Sequence, residues 1–418
     1  MKILKNITVF TMVMLLSVST VLEAREKNIS NFSSSASNLV DSTGTFDGNK
    51  IYADVANNGL FLDYHVSGDS ALEWPKGTGV HSIFQSALWM GATVNGSIRT
   101  IVGDYTQDMG PGPWGGDPLA AVHRIYKVEK SMLASPLDFA DFQEWPVEFG
   151  APWVDVDGDG VYTPLPGGTD HPEFLGDQVL WFVSNDGDPA YKLNFGTSPM
   201  NVEIQTTMFG FDRPDVFGDM VFLKQLVINK GSDDLVDTYM GLWSDPDLGY
   251  AGDDFVGCDV ALGMGYVWND GDDSQYSTLD IGTPAAGYDF FQGPMVPCED
   301  GDSEEVCPTE GAKMFGTRHP GMKNLKMSSF AFYINGDATY TDPSDETEGY
   351  FYLQGLRKDG SAYPAEIAGD LYDQRFCFYG DPNDSAGHST ANPVDGNYAA
   401  SADRRFLMSV RGQPCVSW

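Results

Sequence analysis

The segment DVDGDGVYT, residues 155–163, carries the most specific chemical pattern in the chain. Three aspartates alternate with other residues, and a glycine occupies the sixth position. Calcium loops of the EF-hand type take oxygen ligands from positions 1, 3, 5, 7 and 9, and glycine at position 6 permits the sharp turn. In this register the predicted ligands are Asp155, Asp157, Asp159, the carbonyl of Val161, and Thr163.

The sequel to this segment departs from an EF-hand. Position 12, which supplies a bidentate carboxylate in that motif, is Pro166, and the Pro/Gly-rich residues 164–168 exclude a following helix. A carboxylate from Asp170, Glu173 or Asp177 can complete the ligand set instead. Clustered carboxylates repel one another unless a cation neutralises them. We therefore predict a structural calcium site, since a sensor needs helices that move. The alternative is an Asp/Gly-rich surface turn bonded to its own backbone.

A second acidic segment, WSDPDLGYAGDDFVGCD, spans residues 243–259. It predicts one of three things: another cation site, the rim of a binding cleft, or a solvated loop. The carboxylates concerned are Asp245, Asp247, Asp253, Asp254 and Asp259.

Catalytic signatures are missing from the sequence. It contains no G-x-S-x-G, no H-E-x-x-H and no phosphate-binding glycine loop, and its six histidines are scattered. A non-catalytic protein is therefore favoured, although 60 acidic residues leave room for a glycosidase carboxylate pair. Nine tryptophans make sugar stacking an alternative to a core position, among them Trp89, Trp114, Trp243 and Trp268.

The composition excludes several partners. The chain has 60 acidic and 24 basic residues, which gives a net charge of −36. Such a surface repels nucleic acids and anionic membranes. Aspartate outnumbers glutamate by 45 to 15, and the chain has 47 glycines. Because aspartate favours turns, caps and metal loops over helix interiors, this composition predicts many strands joined by polar turns.

The N-terminus predicts export. Lys2 and Lys5 precede an apolar run from Ile7 to Leu22, and Ala24 is a small residue suited to cleavage. This is the pattern of a secretory signal peptide, residues 1–24. No other stretch reaches the length of a membrane span, so we expect a secreted, extracellular or cell-surface protein without a membrane span after cleavage.

All five cysteines lie beyond residue 250. Cys298 and Cys307 flank an acidic loop, and we predict a disulfide between them because export permits oxidation. The pairing of Cys258, Cys377 and Cys415 stays open, with Cys258 to Cys377 as one option. No C-x-x-C motif indicates zinc or redox chemistry.

The elements that must position these residues are short strands. Segments such as 178–184, 201–211 and 258–268 are β-branched or aromatic and end at Gly, Asp or Asn, and Asn95-Gly96 predicts a hairpin. Short helices are predicted at 136–145 and after Asp342-Pro343. We therefore predict an all-β, sandwich-like fold, with two packed β domains and few helices. The predicted division is signal peptide 1–24, linker 25–46, N-terminal β region 47–150, calcium-type loop 151–177, main β region 178–410 and atypical tail 411–418.

Several phrases in combination resemble one group of proteins. They are FQSALWMGATVNGSIR (84–99), WPVEFGAPWVDVDGDGVYTP (145–164), GDQVLWFVSNDGD (176–188), the segment 228–259, GYDFFQGP (287–294) and ADRRFLMS (402–409). Together they resemble the large, poorly characterised proteins secreted by bacteria that use type IX secretion. The resemblance spans most of residues 46–409 and implies export, β-sandwich domains and often a C-terminal sorting domain. It implies no catalytic residues.

This chain departs from that group at its end. In the group the RRFLMS phrase continues into further β domains, whereas here VRGQPCVSW follows, so we expect a truncated or altered C-terminus without the sorting domain. The functional prediction is a calcium-stabilised protein of surface adhesion or extracellular binding, with a glycan or a surface protein as partner. The alternative is a secreted protein that binds or hydrolyses polysaccharide.

Overall fold

The computed structural model describes residues 43–165, 170–314, 316–383 and 400–412. The predicted signal peptide, most of the predicted linker, and the tail from residue 413 with Cys415 lie outside the described residues. All described residues belong to one compact unit.

The described chain is built mainly from strands, as the composition predicted. In chain order they are β1 Thr43–Phe46, β2 Tyr52–Ala56, β3 Leu72–Glu73, β4 His81–Ile83, β5 Gln85–Val94, β6 Ser97–Ile101, β7 Gly110–Pro111, β8 Tyr126–Glu129, β9 Trp153–Val154, β10 His171–Pro172, β11 Gln178–Asn185 and β12 Val202–Gly210. They continue as β13 Phe222–Asn229, β14 Val236–Asp245, β15 Asp254–Asp259, β16 Met264–Asn269, β17 Ala286–Asp289, β18 Met295–Pro297, β19 Ala312–Met314, β20 Thr317–His319, β21 Met322–Asn324, β22 Ser329–Ile334 and β23 Arg404–Arg411.

Helices in the described residues are short. The α-helices are α1 Ala140–Gln143, α2 Glu346–Leu353 and α3 Ala365–Ala368. The helix predicted at 136–145 is divided into a 3-10 turn, Pro136–Asp138, and the single turn of α1. Helix α2 is capped by Asp345, whose side chain accepts from the Glu348 amide, three residues after the predicted cap. Further 3-10 turns are Ala121–His123, Lys130–Ala134, Val147–Phe149, Pro189–Tyr191, Val216–Asp219, Ala251–Asp253, Tyr276–Leu279 and Tyr372–Gln374.

Four larger antiparallel sheets organise the described strands. Their strand orders are β1-β2-β3-β4, β13-β12-β11-β7 with β8 also on β11, β22-β23-β14-β5-β6, and β15-β16-β17. The all-β prediction is confirmed. The predicted sandwich is not clearly present, because the sheets are arranged like a four-bladed propeller. Short strands with frequent turns fit either arrangement, so the sequence pattern did not distinguish them.

The central sheet, β22-β23-β14-β5-β6, joins distant parts of the chain. It pairs β5 and β6 from the predicted 47–150 region with three strands from the predicted 178–410 region. The hairpin predicted at Asn95-Gly96 connects β5 to β6. Both residues have positive φ, 51° and 82°, which the tight turns that fit a hairpin require.

The core on one face of this central sheet is aromatic. Trp89 and Trp243 stack with ring centroids 5.9 Å apart, and both are fully buried. Their ring nitrogens donate to the Gly103 carbonyl at 2.7 Å and to the Tyr333 hydroxyl at 2.5 Å. Buried tryptophans need such partners for their N–H groups. These two tryptophans are therefore core residues and not sugar-stacking surfaces.

Among the described residues, no helix combines the length and apolar character that crossing a bilayer demands.

Candidate functional site

The aspartate loop connects two short paired strands. β9 pairs antiparallel with β10, with Val154 opposite His171 and Trp153 opposite Pro172. The chain between them carries Asp155, Asp157 and Asp159. Gly158 and Gly160 both have φ of 76°, a left-handed conformation that glycine adopts without steric cost. The glycine predicted to be essential at position 6 therefore makes a turn, as the pattern required.

Four carboxylates converge in this loop. Asp155, Asp157, Asp159 and Asp170 each offer a carboxylate oxygen, and these oxygens lie within 4.8 Å of one another. The three loop aspartates are exposed, whereas Asp170 is buried. Of the three acids considered for completing the ligand set, Asp170 is the one that the described structure places in this group.

Backbone amides already orient these carboxylates. Asp155 accepts from Gly158 and Gly160 at 2.7 and 2.9 Å. Asp170 accepts from the amides of Val156 and Thr163 at 2.9 and 2.7 Å, one on each side of the turn. A carboxylate oxygen that accepts one hydrogen bond keeps a lone pair for a cation. Hydrogen bonds to Asp155 and Asp170 thus hold the loop in shape, and the carboxylate oxygens keep lone pairs with which they can bind a cation.

The electrostatics of the loop oppose full ionisation without a counter-charge. Asp157 accepts a hydrogen bond from the Asp159 amide, which favours its charged form. Nevertheless the pKa of Asp157 is raised, because partial desolvation and the charges of Asp159, Asp170 and Asp155 together outweigh that bond. Nearby like charges raise a carboxyl pKa, and a bound cation reverses the effect.

The remaining predicted ligands are placed differently. The Val161 carbonyl accepts from the Thr163 hydroxyl at 3.4 Å, and the Thr163 amide donates to Asp170. Asp177 lies outside the four-carboxylate group. It accepts from the Asp212 amide at 3.0 Å and lies 3.9 Å from the Lys130 ammonium.

The second acidic segment is divided by the fold. Asp245 ends β14, and it lies with Asp247 and Asp403 in a group whose carboxylate oxygens are within 4.8 Å of one another. Asp403 directly precedes β23 and was missed by sequence reasoning, because it is far from Asp245 in the chain. Only the pairing of β14 with β23 brings them together. The phrase ADRRFLMS, which contains Asp403, contributed to the resemblance described above, but its aspartate was not predicted as a ligand.

The other predicted members of this segment have separate partners. Asp253 accepts from the Asn269 side chain at 2.6 Å, and Asp259 accepts from the Leu262 amide at 2.9 Å. Asp254 is buried and accepts from the Leu248 amide at 3.0 Å. Burial, with the charges of Asp247 and Asp253, raises the pKa of Asp254 to about 9. These three acids serve turns and strand ends in the structure.

A surface pocket of about 330 Å³ lies beside β7 and the end of β11. Trp114 lines it with 44% of its surface exposed, and its ring nitrogen donates to Asn201 at 3.2 Å. Tyr191 and the carboxylate of Asp188 line it as well. A side chain at Gly187 would place its Cβ 2.6 Å from the Trp114 ring. Glycine at this position therefore allows the indole to pack directly against the backbone. By contrast, Trp268 stacks on Phe255 with centroids 5.0 Å apart.

The four cysteines within the described residues divide into a bridged pair and two thiols. The predicted disulfide between Cys298 and Cys307 is present. Cys258 and Cys377 are free and fully buried, and the Cys258 thiol donates to the Cys377 carbonyl at 3.5 Å. The option of a bridge between these two is therefore not realised.

Comparison of the chain with protein-family models, with curated protein sequences and with solved structures finds no significant match.

Proposed function

We propose that this chain is an exported, calcium-stabilised β-rich protein that acts by extracellular or cell-surface binding and not by catalysis. The observation that carries the proposal is the convergence of Asp155, Asp157, Asp159 and Asp170 in one loop. Carboxylate and carbonyl oxygens are the ligands of hard cations, and flexible sites with several carboxylates suit Ca²⁺ better than Mg²⁺.

The place of the loop supports a structural role for the ion. β9 and β10 pair through two residues each, which is too short a ladder to hold a long connection by itself. A cation bound by both halves of the connection would fix the ends of this ladder. Because the loop joins two strands, there is no helix pair for the ion to open, and a sensor mechanism lacks its moving part.

The export part of the proposal rests on residues 1–24 and on the resemblance to type IX secreted proteins. The net charge of −36 agrees with a calcium-rich extracellular setting, since divalent cations relieve repulsion between surface carboxylates.

Calcium titration tests the proposal. The purified chain, stripped with chelator, should bind Ca²⁺ in isothermal titration calorimetry, and its melting temperature should rise with Ca²⁺. The double variant Asp157→Ala with Asp159→Ala should lose most of that rise. The matched control is Asp117→Ala, which removes an exposed carboxylate that accepts from the Leu119 amide at 3.0 Å in a turn. A melting curve that chelator leaves unchanged would refute the calcium role.

A second candidate function, carbohydrate binding, is favoured by the pocket at Trp114. An exposed, hydrogen-bonded indole beside a carboxylate and a tyrosine is a combination of apolar and polar groups suited to a small polar ligand. The lining residues include one carboxylate, Asp188, whereas glycoside hydrolysis uses two facing acids. The geometry therefore favours binding of a glycan over its cleavage.

A glycan array probed with the purified chain tests this candidate. Any hit should weaken at least tenfold in Trp114→Ala and stay unchanged in Trp268→Ala, which replaces a partly exposed tryptophan outside the pocket. Binding that survives Trp114→Ala assigns the glycan to another surface. The absence of any hit favours a surface protein as partner.

A further inference from the structure

The strongest unassigned feature is a buried acidic cluster at one end of the central sheet. Antiparallel pairing brings the last residue of β14, Asp245, opposite the first residue of β5, Gln85. The pairing of β14 with β23 places the start of β23 beside the end of β14, and Asp403 directly precedes β23. The carboxylate oxygens of Asp245, Asp247 and Asp403 lie within 4.8 Å of one another.

Most of this cluster lies inside the protein. The exposed fractions of Asp245 and Asp247 are 2% and 5%, Gln85 is completely buried, and Asp403 at the edge is half-buried. Ion pairs between exposed groups contribute little because water screens them. Here that screening is largely absent, so each uncompensated charge is costly.

One guanidinium partly neutralises the cluster. Arg405 lies 3.4 Å from Asp245 and 3.0 Å from Asp403, and its Nε donates to the Tyr105 hydroxyl at 2.6 Å. Tyr105 in turn donates to Asp245 Oδ2 at 2.8 Å. The neighbouring Arg404 lies over Phe332 and Phe378, at 5.4 and 5.3 Å from the ring centroids. Successive residues of a strand point to opposite faces, so Arg405 is the guanidinium that serves this cluster.

The charges of the cluster do not balance. With all three carboxylates ionised, their charges and that of one guanidinium sum to −2 (−3 + 1), and Asp342 adds to the negative potential at Arg405. An excess of two negative charges equals the charge of one divalent cation.

Two buried oxygens at the cluster have neither a hydrogen-bond donor nor an ion-pair partner. Asp245 Oδ1 is one of them, and the side-chain carbonyl of Gln85 is the other. Gln85 stands directly opposite Asp245 on the neighbouring strand, so the two side chains project from the same face about 5 Å apart at Cβ. The Gln85 amide nitrogen donates to the Asp104 carbonyl, which fixes the amide group and leaves its oxygen for another partner. A buried acceptor without a donor has lost its hydration and gained no partner in return, which destabilises the folded state.

We propose that Asp245, Asp247 and Asp403, together with the side-chain carbonyl of Gln85, form an interior site for a hard divalent cation of the Ca²⁺ type. The ion supplies the two positive charges that the cluster lacks and a partner for both orphan oxygens. It also ties β5, β14 and the start of β23 together at one end of the central sheet. This site is independent of the aspartate loop.

Calcium stoichiometry tests the proposal in a chain whose loop is disabled. The purified chain with Asp157→Ala and Asp159→Ala is equilibrated with Ca²⁺, desalted, and its metal content measured by mass spectrometry. One Ca²⁺ per chain is the expected result. Adding Asp403→Asn, which removes one charge with little change in volume, should weaken binding at least tenfold. The matched control is Asp259→Asn, an acid in a nearby turn outside the cluster.

The outcomes separate this site from the loop. A loop-disabled chain that retains no Ca²⁺ overturns the interior site, even where the parent chain binds the ion in its loop. Conversely, retained Ca²⁺ with no effect of the loop substitutions on the melting temperature refutes the loop proposal alone. Unchanged binding in Asp403→Asn also overturns the interior site. Should that variant fail to fold by near-ultraviolet circular dichroism, Asp247→Asn provides the same comparison, and the loop-disabled chain decides by itself.

Discussion

Asp170 holds the turn together by hydrogen bonds, and in our proposal it also binds Ca²⁺; its replacement by alanine distinguishes these two roles. Its carboxylate is buried and accepts from the amides of Val156 and Thr163 on the two sides of the turn. Hydrogen bonds to charged groups contribute about 1.5–3 kcal/mol each. The two amides belong to exposed and half-buried residues and regain water after the change, so we expect Asp170→Ala to cost about 2–4 kcal/mol in chelator.

Asp157→Ala is the comparison, because Asp157 belongs to the proposed metal site but does not hold the two sides of the turn together. Asp157 is exposed and accepts a hydrogen bond from the Asp159 amide at 3.2 Å. Substitutions of such exposed residues change stability little. In Ca²⁺ at one hundred times the dissociation constant, binding adds about 2.7 kcal/mol to the parent chain. Both variants should lose most of that gain.

Differential scanning calorimetry of the parent and the two variants, with chelator and with Ca²⁺, measures both roles. For a chain of this length 1 kcal/mol shifts the melting temperature by about 1–2 °C. In chelator, Asp170→Ala should therefore melt about 2–8 °C below Asp157→Ala, whereas in Ca²⁺ both should lie below the parent. Equal melting temperatures of the two variants in chelator would refute the hydrogen-bond reasoning. An equal Ca²⁺ response in all three chains would refute the metal reasoning.

Three further predictions concern the cysteines and the core. Replacing Cys298 and Cys307 by serine should speed proteolytic cleavage between them, since the bridge contributes about 3 kcal/mol in the chain-entropy model; peptide mapping detects the new cuts, and unchanged cleavage contradicts the idea. Burial raises the pKa of the Cys258 and Cys377 thiols well above their usual range, so iodoacetamide should modify them only after denaturation. The unfolded chain releases these thiol protons near pH 8.5, whereas the folded chain keeps them. The buried thiols therefore contribute fully to the free energy of unfolding below that pH, and this contribution falls as pH rises. Urea unfolding at pH 7.5 and 10 measures the change, and a higher free energy of unfolding at pH 10 would contradict the prediction. Trp243→Ala should cost about 3–5 kcal/mol in urea unfolding, and a loss below about 1 kcal/mol would exclude Trp243 from the cooperative core.

Local patterns in the sequence predicted local structure well. Asn95-Gly96 predicted the β5–β6 hairpin, because few residues accept the positive φ of such a turn. The Asp-x-Asp-x-Asp-Gly spacing predicted a loop whose acids converge, because the required contacts lie within a few residues. The Cys298–Cys307 bridge was predictable for the same reason. Helix boundaries were less accurate: a cap predicted at Asp342 is made by Asp345, which also precedes a run of acidic and aromatic residues.

Contacts between distant segments were not predictable. Asp403 joins Asp245 through the pairing of β23 with β14, and Gln85 joins them through β5. Which of several nearby acids completes the loop was likewise open, and Asp170 rather than Glu173 or Asp177 is brought into the group by the pairing of β9 with β10. The assignment of Trp89 and Trp243 to the core and of Trp114 to a pocket also required the fold, since their residue type is the same.

By itself, then, the sequence determined the β-rich class of the protein, its turns, its bridged loop and the three closely spaced aspartates of its first acidic loop, Asp155, Asp157 and Asp159. These features depend on residues that are close in the chain, where backbone preferences and side-chain spacing act directly. The tertiary structure decided the arrangement of sheets like a four-bladed propeller and the buried cluster around Asp245. Strand pairing determines both the sheet arrangement and this cluster. The alternation of apolar and polar residues along a strand indicates which face is buried, but it does not indicate which strand lies next to it.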